Sequence, residues 1–321
     1  MHGLEDFYKG KNVLVTGGAG LIGSAFTEIL IQYKAKVRTV QHRRVPYFSH
    51  RLEIIEGDLR EKDTCVKACR GMDFVVNAAG VSGGSKNVTV NGISMFTDSL
   101  LINTQVIEAA RGEGVKRFLV LSNSSVYAKS EAVLKEADAW GEESHGEPEN
   151  ETGMVKRTAE VQGALYAKET PMKVAIIRAG NAYGPRDNFD LESSHVVPAL
   201  IRKAVSGMDP FIMWGSGDTV RDFIHSKDIA NAGLFLLKDH ADADPVNIAT
   251  GKTITIRDLV DLILRLTGNE ERTVQCDPNA PPASPAKRMD ISMMLKRGFK
   301  PEISLEDGLR RTIAWYEKNC N

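Results

Sequence analysis

No stretch of this sequence is apolar for long enough to cross a bilayer, and the opening Met1-His2-Gly3-Leu4-Glu5-Asp6-Phe7 has no signal-peptide core. A cytoplasmic protein with no membrane partner is expected. Cysteine is scarce: Cys65, Cys69, Cys276 and Cys320 are the whole set, and no partner pair has zinc-ligand spacing. Cys65 and Cys69 fall four apart in a helical pattern and read as reduced structural thiols, so no metal is expected. Neither sign of charge is in excess. The 41 Lys and Arg against 42 Asp and Glu leave a net charge of -1, spread along the chain. That balance argues against nucleic acid or a membrane surface as partner. Internal repeats and low-complexity linkers are also missing. Asn87-Val88-Thr89 and Asn150-Glu151-Thr152 match a glycosylation acceptor pattern, which means little without a secretory signal. At 321 residues the chain can bury a large core without disulfides or metal.

What the sequence does have is alternation. Short apolar runs at Lys11–Thr16, Lys36–Val40, Leu52–Ile55, Phe74–Asn77, Arg117–Leu121 and Val174–Ile177 read as strands. Helical patterns run from Leu21 to Ile31, from about Ser94 to Arg111 and from about Gly153 to Glu169. Strands separated by helices imply an α/β fold, a Rossmann-type doubly wound parallel sheet covered on both faces. The alternation weakens after Arg178. Three more helical patterns follow, near Ser193–Ser206, Ile256–Thr267 and Leu305–Lys318, among Gly- and Pro-rich loops. The expected organisation is a dinucleotide-binding domain over 1–178, rejoined by about 219–247, and a smaller α/β substrate lobe over 179–321.

Val15-Thr16-Gly17-Gly18-Ala19-Gly20-Leu21-Ile22-Gly23 follows the first strand and opens the first helix. Gly17, Gly20 and Gly23 permit a tight turn, close approach to a pyrophosphate and close helix–sheet packing. A strand before and a helix after supply the context that a glycine motif alone lacks. At the end of the second strand, Val40-Gln41-His42-Arg43-Arg44 contains no carboxylate for a ribose 2′-hydroxyl. Either Arg43 or Arg44 meets a 2′-phosphate, or the segment is a solvated basic loop. NADP is therefore favoured over NAD. Asp58-Leu59 is expected by the adenine, and Asn77-Ala78-Ala79-Gly80 ends the fourth strand beside the cofactor.

These segments resemble the extended short-chain dehydrogenases, the NAD(P)-dependent nucleotide-sugar epimerase/dehydratase family, over about Tyr8 to Tyr316. Arg178-Ala179-Gly180-Asn181-Ala182-Tyr183-Gly184-Pro185 is similar to the family's sugar-nucleotide segment. The stretch from Trp214 through Arg221 to His225, with Asp228, is similar to its phosphate-contacting strand and the helix after it. Val81-Ser82-Gly83-Gly84 and the stretch from Ser193 through His195 to Arg202 most resemble the GDP-fucose synthases. Leu134–Trp140 and Trp214–Gly217 resemble the GDP-mannose 3,5-epimerases. The resemblance implies that Asn181, Arg221 and Arg288 hold the diphosphate and nucleotide. It adds Val81, Ser82, Gly83, His195, Arg202 and Trp214 to the substrate site. A GDP-hexose substrate and a homodimer joined through the Ser94–Arg111 and Gly153–Glu169 helices are further implications.

In that family a Tyr and a Lys four residues later act together on one helix face. The lysine charge lowers the phenol pKa, so the phenolate can take a hydroxyl proton as hydride leaves. Here the matching segment is Thr152-Gly153-Met154-Val155-Lys156. Lys156 is kept; the tyrosine is Thr152, which cannot serve as a phenolate-like base. The triad's Ser or Thr aligns with Asn123, with Ser122 or Ser124 adjacent. A cysteine and a basic residue handle the epimerisation proton in the two relatives; those positions are Ser125 and His195. The resemblance thus implies an enzyme that epimerises a keto-GDP-hexose, with or without C4 reduction. Lys156 would orient the cofactor, His195 would move a proton, and Asn123, Ser124 and Ser125 would bond the C4 oxygen. Alternatives are a 4,6-dehydratase, a C4 dehydrogenase, or a dinucleotide-binding regulator without turnover.

Overall fold

The computed structural model describes residues 3–81, 85–128, 130, 132–140, 151–277 and 288–320, with backbone alone for 85–91. Ser82 and Gly83, expected at the substrate site, lie outside the described residues.

Seven strands form the central sheet: β1 (Asn12–Thr16), β2 (Lys36–Gln41), β3 (Glu53–Glu56), β4 (Phe74–Asn77), β5 (Arg117–Asn123), β6 (Lys173–Ala179) and β7 (Asp242–Ile248). Their spatial order is β7-β6-β5-β4-β1-β2-β3 and every pairing is parallel. The doubly wound architecture follows from alternation within each strand. Val13 and Val15 face one layer, while Leu14 between them faces the other. The first layer holds helices α1 (Leu21–Gln32) and α6 (Ser226–Asp239). The second holds α2 (Lys62–Cys69), α3 (Ser85–Gly112) and α4 (Glu151–Glu169). Cys65 and Cys69 are buried in that second layer, and burial pushes both thiols up to about 12. They are therefore poor nucleophiles at neutral pH.

Chain order reverses at β1, which lies between β4 and β2. In open α/β sheets the crevice beyond the carboxyl ends of the strands, at such a switch point, is where ligands bind. Register aligns Thr16 with Asn77, Asn77 with Val120, and Asn123 with Ala179, so these strand ends share one edge. Above that edge a separate core joins α5 (Val196–Val205), α7 (Ile256–Leu266) and α8 (Leu305–Cys320) around the strand Phe211–Trp214.

Two elements differ in extent from the sequence pattern. Helix α3 begins at Ser85, nine residues before the expected Ser94; apolar residues are too few in Ser85–Ile93 for the sequence pattern to mark that first part as helix. Helix α5 begins at Val196, not Ser193. Asp190 accepts from the backbone N–H groups of Glu192 and Ser193, and this turn captures the chain before the helix can start.

Candidate active site

The turn after β1 is built for close approach. Gly17 has φ +67°, and a Cβ there would lie 2.7 Å from the Ala78 carbonyl oxygen. A Cβ at Gly23 would lie 2.1 Å from the Gly17 carbonyl oxygen, so only glycine lets α1 start against the turn. The Gly20 N–H donates to Gly17 O at 2.9 Å, and Leu21 and Ile22 open the helix with Gly20 as N-cap. Its N-terminus carries no side-chain cap, which leaves its first N–H groups and positive dipole end available to a ligand. The next strand end is locked to this turn. Thr16 Oγ1 donates to Asn77 Oδ1 at 2.7 Å and accepts from the Ala79 N–H at 3.0 Å. Asn77 Nδ2 donates to Asn103 on α3 at 2.9 Å. Val81 N–H donates to Ser99 Oγ at 3.1 Å. Ala78, Ala79 and Gly80 therefore run along the crevice as a fixed floor.

Gln41 ends β2, and its carbonyl accepts from the Gly57 N–H at 3.1 Å. His42, Arg43 and Arg44 follow and are exposed. Asp58 has His42 Nε2 at 3.5 Å and takes two hydrogen bonds from the Arg60 guanidinium, which also reaches Asp98. The Arg60 bonds hold the Asp58 carboxyl below its usual value. Leu59 beside it is buried.

At the end of β5, Asn123 caps the short turn Ser124–Val126; its Oδ1 accepts from the Ser125 N–H at 3.0 Å and from the Ser125 hydroxyl. One oxygen of Asn123 is therefore committed to the turn. Helix α4 begins at Glu151, which places Thr152 in its first turn and Lys156 one turn on. Lys156 Nζ donates to the Leu121 carbonyl at 2.7 Å. Part of the side chain is open to the crevice, yet protein surrounds the nitrogen. Burial pulls the ammonium down to about 8, opposed by the negative charge of Glu160.

Glu160 belongs to a network that spacing alone did not reveal. Arg178, wholly buried, donates to both Glu160 oxygens, at 2.9 and 2.7 Å. Ser122 Oγ donates to the same carboxylate, and Trp140 Nε1 is 3.4 Å from it. Arg178 also donates to the Tyr127 hydroxyl at 3.0 Å, and that hydroxyl donates to Asn247 on β7 at 2.6 Å. Arg178, first residue of the segment expected to contact substrate, is thus a core residue, because the buried carboxylate claims its guanidinium. The one sequence signal was Glu160 itself, four residues after Lys156 on the same face.

The second lobe places the other candidates. Asn181 Nδ2 donates to Asp222 O at 2.8 Å. Arg221 donates to the Val220 carbonyl at 2.8 Å and pairs in a short strand with Ile254. Trp214 is exposed, with Lys203 Nζ 5.7 Å from its ring centre. Arg288 lies exposed on a two-residue strand beside Val133. Arg202, in the last turn of α5, donates to Phe189 O at 3.0 Å and so braces its own lobe. His195 is the N-cap of α5, exposed at its surface but with enough protein around the ring for desolvation to lower its pKa. Tyr183 is buried, with its hydroxyl 3.3 Å from the Leu305 carbonyl. No cluster of three or more His, Cys, Asp or Glu able to hold a metal occurs among the described residues. No helix among them is long and apolar enough to cross a membrane.

The glycine turn, the uncapped helix N-terminus and the small-residue floor fit a dinucleotide pyrophosphate, which needs N–H donors and room for close approach. Residues 13–249 match the family described as NAD dependent epimerase/dehydratase. GDP-L-fucose synthase 1 of Arabidopsis thaliana is 31% identical, over 98% of this chain and 95% of that protein. GDP-mannose 3,5-epimerase 1 of Oryza sativa subsp. japonica is 28% identical, over 95% of this chain and 82% of that protein. Among solved structures, UDP-glucose 4-epimerase of Thermotoga maritima with UDP-glucose superposes with a TM-score of 0.84 at 23% identity, covering 97% of this chain and 100% of that one. That likeness extends over the sheet and the upper lobe alike. The chain therefore belongs to the NAD dependent epimerase/dehydratase family, as the glycine turn and the Lys156 helix first suggested.

Proposed function

We propose that this chain epimerises a keto-GDP-hexose, with or without reduction at C4. The single observation that carries this reading is Lys156, fixed by the Leu121 carbonyl at the sheet edge that also bears the Gly17–Gly23 turn. The GDP-L-fucose synthase and GDP-mannose 3,5-epimerase relatives favour GDP-hexoses. When bound, the dinucleotide supplies or accepts the hydride. The α1 N-terminus holds its pyrophosphate, Lys156 bonds its ribose, and Ala78–Gly80 leave it room. NADP is favoured over NAD, because β2 ends without a carboxylate and Arg43 and Arg44 stand exposed there. Asn181, Arg221 and Arg288 supply donors and cations for the diphosphate. Val81, at the end of the Ala78–Gly80 floor, and Trp214, in the substrate lobe, line the proposed substrate site, and Arg202 braces that lobe. Ser124 and Ser125, with the remaining donor of Asn123, bond the C4 oxygen.

His195 moves the proton on the carbon beside the ketone. Its lowered pKa leaves the imidazole neutral, hence basic, near pH 7. His195→Asn is expected to stop solvent deuterium entering the sugar while nucleotide affinity stays within about twofold. Undiminished exchange, read by mass spectrometry, would remove His195 from this role.

The function is tested by mixing the chain, loaded with NADPH or with NADH, with a GDP-linked 4-keto-6-deoxyhexose and following nicotinamide absorbance. Loss of the reduced band, faster with NADPH, is expected. A second reading, a nucleotide-sugar-responsive regulator, is favoured by Thr152 and by Asn123, whose Oδ1 is committed to capping its own turn. Tight binding of both ligands with no absorbance change and no exchange would establish it instead.

We also propose a homodimer through α3 and α4. Leu101 is 41% exposed, and Met154, Val161 and Leu165 are 43%, 43% and 48% exposed. The last three follow one helical stripe. Leu165→Glu is expected to shift sedimentation from dimer to monomer; an unchanged dimer would place the contact elsewhere.

A further inference from the structure

Resting on the catalytic reading above, we propose that Lys156 is itself the proton carrier for the C4 oxygen, in place of the phenol that Thr152 does not provide. Among the described residues near Lys156, the geometry removes several other candidates. Tyr127 is wholly buried with its hydroxyl engaged by Arg178 and Asn247. Tyr183 is buried against Phe223 and His225, with its hydroxyl on Leu305 O at the start of α8. Ser122 and Glu160 are buried and bonded to each other, and Glu160 is further closed by Arg178. Thr152 and Asn123 do not titrate near neutrality. Lys156 donates one N–H to Leu121 O at the carboxyl end of β5 and lies one helical turn from Thr152.

Its surroundings let it give up a proton. Burial brings it to about 8, so both forms are populated near neutral pH. The charged group facing it from its own helix is Glu160, which favours the ammonium. From β6, Arg178 is spent on Glu160 and Tyr127. On the β7 side the groups are neutral Asn247 and Glu136, whose oxygen accepts the Asn247 N–H. From α3, Glu108 and Arg111 pair with each other and with Tyr166, ten residues further along α4. A bound reduced nicotinamide would supply the hydride for the C4 carbon, and the C4 oxygen, left with the carbonyl π pair, would take its proton from the Lys156 ammonium. The amine left behind recovers that proton from solvent. Oxidation runs the same transfers in reverse.

Two measurements test this. The first needs no turnover: competitive labelling of the cofactor-free chain with acetic anhydride across pH, read by mass spectrometry at Lys156. A midpoint near 8 is expected; the ordinary lysine value would overturn the proposal. The second is Lys156→Arg, which keeps charge and ribose donors but does not release a proton near neutral pH. Expected is a loss of about 10²–10⁴-fold in reductive turnover, with dinucleotide affinity retained. In a chain that also carries Thr152→Tyr, the same change should cost about tenfold or less, because the added phenol does the work. Equal losses in both backgrounds would make Lys156 a positioning residue only and overturn the proposal. Binding of both ligands with no turnover would overturn it while leaving the binding site intact. Failure of either ligand to bind would overturn the underlying catalytic reading as well.

Discussion

Thr152→Tyr is expected to raise reductive turnover of a GDP-linked keto-sugar by on the order of 10²-fold, the lower part of what a placed general acid contributes. The lower part applies because, in the proposed role, Lys156 already supplies a proton. Thr152 is half-buried in the first turn of α4, where a phenol would feel the positive helix terminus and the neighbouring ammonium. Both favour the phenolate, so the variant should also widen the pH range over which oxidation runs. In the unmodified chain the reductive rate should be flat below about pH 8 and fall as pH rises through it, because the ammonium is the acid. The oxidative rate should do the opposite. Steady-state turnover against pH for the two proteins measures all of this. An unchanged rate and profile would show that position 152 does not face the reacting carbon.

The largest expected stability effect lies behind the site. Arg178→Met should destabilise the chain by about 3–5 kcal/mol, because it strands Glu160, 3% exposed, without its partner. Removing both charges, with Arg178→Met and Glu160→Leu, should recover most of that loss, since well-packed apolar side chains replace buried ion pairs at little cost. The double variant is informative about function too. Glu160 favours the Lys156 ammonium, so without it the lysine should titrate lower still. Urea unfolding of the single and double variants tests the first claim; equal losses would show that the pair is not the source of the energy. Labelling of Lys156 in the double variant tests the second.

These predictions depend on contacts that sequence patterns show unevenly. The β1 turn was legible because its cause is local: a strand stops, glycines follow, and a helix pattern resumes within nine residues. Lys156 was legible for the same reason, four residues after Thr152 on one face. Strand β7 was not. Asp242-Ala243-Asp244-Pro245-Val246-Asn247-Ile248 has two acidic residues and a proline in its first half, and only its last three residues are buried. A shift in register between Asp242 and Pro245 lets the acidic half stay at the surface while the apolar half pairs with β6. The Arg178 network was hidden because its members come from β5, α4, β6 and β7, more than 120 residues apart at the extremes. No spacing rule encodes such a meeting. It matters for function, since the same carboxylate that pairs with Arg178 sets the field at Lys156. The start of α5 was missed by three residues, and that error places His195 at the helix cap instead of inside the first turn.

The claim beneath all of these is spatial, and a crystal structure of the chain with NADPH and a GDP-hexose both bound tests it most directly. The account predicts the pyrophosphate on the Gly17–Gly23 turn and Lys156 Nζ within hydrogen-bond distance of the nicotinamide ribose. It also predicts the sugar C4 oxygen between that nitrogen and Thr152. A dinucleotide bound elsewhere, or a lysine turned away from a ring that is present, would contradict it.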